Sequence, residues 1–108
     1  MKNLNQYEVI TNNSYAYNCS DKVNNYVTVA NTAQTVTIPT GATVAVFNST
    51  VPFYVDFSGA TAVVPSVNVT NGTGVVYQPS SRYVSGLSSF SIISAQVGVI
   101  TIEFYSLN

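Results

Sequence analysis

Ile100, Ile102 and Phe104 alternate with Val99, Thr101, Glu103 and Tyr105, and Val51, Phe53, Val55 and Phe57 alternate with Pro52, Tyr54, Asp56 and Ser58. A side-chain period of two belongs to an extended strand with one face on a core, whereas a helix brings apolar residues back every third or fourth place. No stretch of this chain carries the helical period, and eighteen valines favour a pleated surface throughout. Besides those two runs, the pattern predicts strands at 26–29, 34–38, 43–47, 60–64, 75–78, 82–85 and 89–94, with a short one at 7–11.

Turn-forming residues separate the runs: "PTGA" at 39–42, "NSTVP" at 48–52, "SGA" at 58–60, "NGTG" at 71–74, "QPSS" at 78–81 and "AQVG" at 95–98. Many short strands with regular turns predict an all-β fold, an antiparallel β-sandwich or jelly roll. Two hairpins are expected, one joining 43–47 to 52–57 and one joining 89–94 to 99–105.

The chain is one ordinary domain in length, with 108 residues. Its charge is unevenly spread. Lys2, Glu8, Asp21 and Lys22 fall in residues 1–22, together with Tyr7, Tyr15 and Tyr17 and several asparagines. From 23 to 108 only Asp56, Arg82 and Glu103 are charged. This division predicts an extended N-terminal arm over 1–22, with the three tyrosines as anchors, followed by a β-sandwich domain over 23–108. Ser, Thr and Asn occupy surface positions that Lys and Glu usually hold, and a net charge of −1 permits close association of many copies.

The inventory disfavours most chemistry. Without histidine the commonest general base and metal ligand is missing, and Cys19 is the single cysteine, so it has no partner for a disulfide or a Cys-x-x-Cys motif. No cofactor is implied. Three basic residues, two of them in the first 22, make no stripe for nucleic acid. The start "MKNLNQYEVI" lacks the apolar core of a secretory signal, and no apolar run is long enough for a membrane helix. The five Asn-x-Ser/Thr triplets, at Asn12, Asn18, Asn48, Asn68 and Asn71, are read as a product of composition.

Three readings of particular residues remain. Asp56 and Glu103 both fall on the non-core face of predicted strands, where two neighbouring carboxylates would suit glycoside hydrolysis, although two solvated surface acids account for them more simply. "NVTNGTG" at 68–74 resembles a calcium loop only in its asparagines; with no carboxylate it reads as a turn that needs glycine at positive φ. Tyr54 and Tyr105 face outward on predicted strands, and with Tyr77 and Tyr83 they are candidates for stacking on a sugar. Arg82 is expected to pair with Asp56 or Glu103, within one chain or across an interface.

The stretch "AQTVTIPTGATVAVFNSTVPFYVDFSGATAVVP" resembles a pattern found in small virion proteins of tailed bacteriophages, in which a strand ending in Pro leads through a Gly-Ala turn to an apolar strand and then to a "PFYVDF"-type strand. "NGTGVVYQPSSRYVSGLSSFSIISAQVGVITIEFY" is similar in layout to the remainder of that pattern, a loop, a proline-containing edge, a Ser-rich strand and a final hairpin, so the likeness covers roughly residues 24–106. It implies a capsid decoration, or cement, protein: a homotrimer on the outer surface of the head, bound to the major capsid protein, made in the host cytoplasm and without catalytic residues. Tyr7, Tyr15, Tyr17, Tyr54, Asp56, Arg82, Glu103 and Tyr105 are then interface candidates. The alternative is a carbohydrate- or receptor-binding module of a head fibre, neck or tail component, recognising a surface glycan.

Overall fold

The computed structural model describes residues 1–4, 7–9 and 15–107, with side chains described for 1–4 and 18–107. Among these residues there is no helix; the chain is all-β. Strands β1 (Tyr7–Val9) and β2 (Tyr15–Tyr17) pair antiparallel with each other. The remaining eight are β3 (Lys22–Val27), β4 (Gln34–Thr37), β5 (Val44–Ser49), β6 (Tyr54–Asp56), β7 (Val76–Tyr77), β8 (Ser81–Tyr83), β9 (Ser89–Ile93) and β10 (Val99–Tyr105). They form two four-stranded sheets, ordered β3-β10-β5-β8 and β4-β9-β6-β7. Every pairing within the sheets is antiparallel.

One core serves both sheets. Ala45, Phe47, Val84, Ile100, Ile102 and Phe104 from the first join Val36, Ile38, Phe53, Val55, Phe90 and Ile92 from the second in a single buried cluster. The period-two reading is therefore borne out for β6 and β10: Val55, Ile100, Ile102 and Phe104 are each fully buried. Phe47 sits at the centre, with ring centroids 5.6 Å from Phe90, 6.1 Å from Phe53 and 6.1 Å from Phe57. Each buried phenylalanine of this kind contributes on the order of 3 kcal/mol by leaving water.

Both expected hairpins are overturned. β5 pairs with β10 and β8, while β6 pairs with β9 and β7; likewise β9 and β10 lie in different sheets. The turn residues reverse the chain, but the links at 50–53 and 94–98 cross from one sheet to the other. Side chains and backbone tie the two crossings together. Thr50 N–H donates to Val99 O at 3.0 Å, Val99 N–H donates to Thr50 Oγ1 at 3.0 Å, and Ser94 Oγ donates to Pro52 O at 2.7 Å. Gly98 is needed for this contact, because a Cβ there would lie 2.5 Å from Val51 Cγ1.

Two strand boundaries also move. The predicted strand at 60–64 is absent: the chain leaves β6 after Asp56, turns through Gly59 at φ 97° and runs irregularly to residue 75. The strand predicted at 26–29 occupies Lys22–Val27, and it ends where the Thr28 hydroxyl donates to Gln96 O at 2.7 Å and accepts from Gly98 N–H at 2.7 Å.

The first 22 residues are not seen as an extended arm among the described residues. Leu4 N–H donates to Ser106 O, and Ser106 N–H donates to Lys2 O, forming a parallel bridge between Asn3 and Ser106. Farther on, Ser20 Oγ donates to Phe104 O at 2.7 Å. Residues 1–4 and 18–21 are thus fastened to the end of β10.

Candidate functional site

The two sheets present contrasting outer faces. On the first, the inward parity of Ile100, Ile102 and Phe104 turns Val99, Thr101 and Glu103 outward. Register then places Val23, Asn25 and Val27 of β3 on one side of them, and Val46 and Asn48 of β5 on the other. Ser81 and Tyr83 of β8 complete the face. Glu103 is the one acidic or basic group in this set, placed between Val23 and Val46. Val23, Val27 and Tyr83 are open to water, Val27 being 66% exposed and Tyr83 69%, while Val46 and Val99 are half-buried.

One end of this face deepens into a groove of about 540 Å³, lined by Leu4, Cys19, Val46, Ser81, Glu103 and Tyr105. Tyr105 corrects an expectation. Its position on β10 has the outward parity, yet the side chain is buried and its hydroxyl donates to Asn18 O at 3.0 Å. The segment around residue 18 covers it, so it offers no stacking surface. Burial, and then the negative charge of Glu103, push its phenol pKa above the usual value.

The second sheet's outer face is covered in its middle, while Thr35, Thr37 and Tyr77 stay exposed. Asp56, Ser91 and Ile93 have the outward parity but are buried, and the segment 57–75 lies against Asp56 and Ser91. Ala62 N–H donates to Ser91 Oγ at 2.9 Å, a side-chain anchor in place of a strand ladder. Asp56 Oδ1 accepts from Ser58 N–H at 2.8 Å and from Ser58 Oγ at 2.5 Å. Beside this carboxylate lies a groove of about 390 Å³ whose other walls include Val63, Pro65, Val67, Val69 and Val75.

Several residues singled out by the sequence find different settings. Asp56 and Glu103 point away from each other on opposite outer faces, with the shared core between. Sheets packed face to face stand about 10 Å apart, so these carboxylates cannot flank one glycosidic bond. Asp56 is also buried, where a solvated acid was expected. Arg82 forms no ion pair with either acid within the chain; its guanidinium donates to its own Ser81 O at 2.7 Å. In the 68–74 loop Asn71 Oδ1 accepts from Thr73 N–H and Thr73 Oγ1, and Gly72 has φ 87°, as the turn reading required. Among the described residues no cluster of three or more His, Cys, Asp or Glu could hold a metal ion.

The four tyrosines do not form one platform. Tyr54 and Tyr77 face each other across β6 and β7, with ring centroids 5.2 Å apart. Tyr83 belongs to the other sheet. The anchoring role expected of Tyr7, Tyr15 and Tyr17 concerns side chains outside the described ones. Sequence reasoning began this strand at Tyr26 and named none of its valines as interface candidates. The signal for Val23 was present, because it shares one parity with Val27 and Val29.

No protein-family model matches this chain, and no curated protein or solved structure matches it.

Proposed function

We propose that this chain is a non-catalytic structural protein of a bacteriophage virion: a capsid decoration protein that binds the major capsid protein on the outer surface of the head and stabilises the shell as a homotrimer. The observation that carries the reading is the outer face of the β3-β10-β5-β8 sheet. It exposes Val23, Val27 and Tyr83 among Asn, Thr and Ser, with Glu103 as the only acid or base among its described residues. A face with so few charges can be buried against the shell with little cost in desolvated ions. Modest contacts of this type gain strength when several act at once.

The strand order supports a jelly-roll form of the sandwich for this protein. From β3 to β6 successive strands alternate between the sheets, and β8, β9 and β10 alternate again, as two interlocked Greek keys require. Within the N-terminal segment, the contact role proposed for an arm falls to residues 5–17, which include Tyr7, Tyr15 and Tyr17. The test is co-sedimentation of the purified protein with empty heads of the parent phage at low and high salt. Binding that barely responds to salt is the expected result. A purified virion that lacks the protein would overturn the proposal.

A second reading is favoured by one pair of side chains. Tyr54 and Tyr77 lie ring to ring, and Tyr77 is 57% exposed, which suits stacking on a surface glycan. If heads are ignored and a glycan array shows binding that Tyr77→Ala abolishes, this reading replaces the first.

A further inference from the structure

Asp56 has an unusual setting for an acid in a charge-poor chain. Its side chain is only 5% exposed. Oδ1 is taken by Ser58, through the backbone N–H and the hydroxyl. Oδ2 accepts no hydrogen bond, and it is not sealed from solvent. Asp56 lines the groove of about 390 Å³, whose largely apolar walls are Val63, Pro65, Val67, Val69 and Val75, with Thr61 and Thr73 among them. Apolar walls around one carboxylate oxygen suit a cation carried on an aliphatic stem. Val63 and Val67 are 61% and 75% exposed in the isolated chain, so the walls themselves await a cover.

We infer that the cover is a second copy of this chain, whose Arg82 enters the groove and pairs with Asp56. From residue 23 onward Arg82 is the only basic residue. It is exposed on β8, at an edge of the first sheet, and its own chain gives the guanidinium only the Ser81 carbonyl. A planar, weakly hydrated guanidinium is the cation best suited to a desolvated carboxylate. Arg82 and Asp56 lie on different sheets, so the contact joins unlike surfaces. Such head-to-tail contacts close into rings when the rotation permits. The inference rests on the homo-oligomer in the proposed function and supplies its joint. The face of the β3-β10-β5-β8 sheet stays free for the shell.

The test is sedimentation equilibrium of the full chain, Arg82→Gln, Asp56→Asn and the double variant, with head co-sedimentation run in parallel. Asp56→Asn keeps an oxygen for Ser58, and Arg82 is exposed, so both variants should melt as the parent does at concentrations where all three are monomeric. Each single change should weaken self-association roughly 30-fold or more, and the double change no further than either alone. Raising salt should weaken the parent in the same direction. Mixing the two single variants should restore pairwise association, since one supplies Arg82 and the other Asp56. An unchanged dissociation constant in Arg82→Gln overturns the inference, as does a monomer at all concentrations. Loss in Asp56→Asn alone also overturns it and points to a foreign cation. A monomer that still binds heads would leave the decoration reading standing, whereas an Arg82-dependent oligomer that ignores heads would remove that reading and keep the joint.

Discussion

The outer faces of the two sheets begin from the same alternation and end differently. Both carry the outward half of a period-two pattern, the first rich in Val and Asn and the second in Ser, Thr and Tyr. On the β4-β9-β6-β7 sheet the chain lays residues 57–75 over the middle of its own surface, against Asp56 and Ser91, and leaves Tyr77 exposed. On the β3-β10-β5-β8 sheet the cover is confined to one end. The segments at residues 1–4 and 18–21 close one end over Tyr105, and Val23, Val27 and Tyr83 stay open. A face left uncovered by a chain that can cover its other face is the better candidate for a partner's surface. Contiguous exposed apolar residues rimmed by polar ones mark such sites in general.

The contrast concerns surfaces alone only if the two sheets share one stability. Phe90 tests that first, because it belongs to the second sheet yet packs on Phe47 of the first. Phe90→Ala should cost roughly 3–5 kcal/mol, and a single cooperative transition should move to lower temperature. Two separate melting transitions would break the comparison. A smaller loss is expected from Ser91→Ala, which strips the buried Ala62 N–H of its acceptor. About 1–3 kcal/mol should go, and limited proteolysis should begin cutting within 57–75. If the cutting pattern stays the same, the cover is not held by that hydrogen bond.

How much of this arrangement could be read in advance differs element by element. The faces of β6 and β10 were legible, because burying one side of a strand leaves a period of two in the residues themselves. The assignment of strands to sheets was not. "NSTVP" and "AQVG" encode a reversal of direction, and nothing local states whether the next strand pairs with the last or crosses the core. Tyr105 was misjudged for a related reason: parity turns it outward, but its cover comes from Asn18, 87 residues earlier. The same holds for Asp56, whose cover has no strand pattern to betray it. Local chemistry was legible, as in the Asn71 turn, and long-range cover was not.

On the open face, stability and association should separate. Val27 is 66% exposed, so Val27→Asp should change the melting free energy by no more than about 0.5 kcal/mol. The same change places a charge in the apolar part of the proposed contact, and head binding should fall sharply. Full binding by this variant, as judged by co-sedimentation, would show that the shell meets another surface.

The smallest effect concerns the partial cover itself. Asp21 Oδ1 accepts from the backbone N–H of Lys2 at 2.9 Å, and this bond holds the carboxyl pKa below its ordinary value of 3.8. A carboxyl whose folded pKa is depressed adds stability above its unfolded pKa, and that contribution disappears as pH falls through the folded value. The tie between residues 1–4 and Asp21 should therefore be complete at neutral pH and weaken below about pH 4. Asp21 is exposed, so the melting temperature should hardly register the loss. The local reporter is the Lys2 amide, whose NMR chemical shift should titrate with the Asp21 carboxyl and lose its pH dependence in Asp21→Asn. Acid would then loosen the covered end of the open face. A Lys2 amide that ignores pH in the parent protein would show that the bridge to Ser106, and not Asp21, fixes this end of the chain.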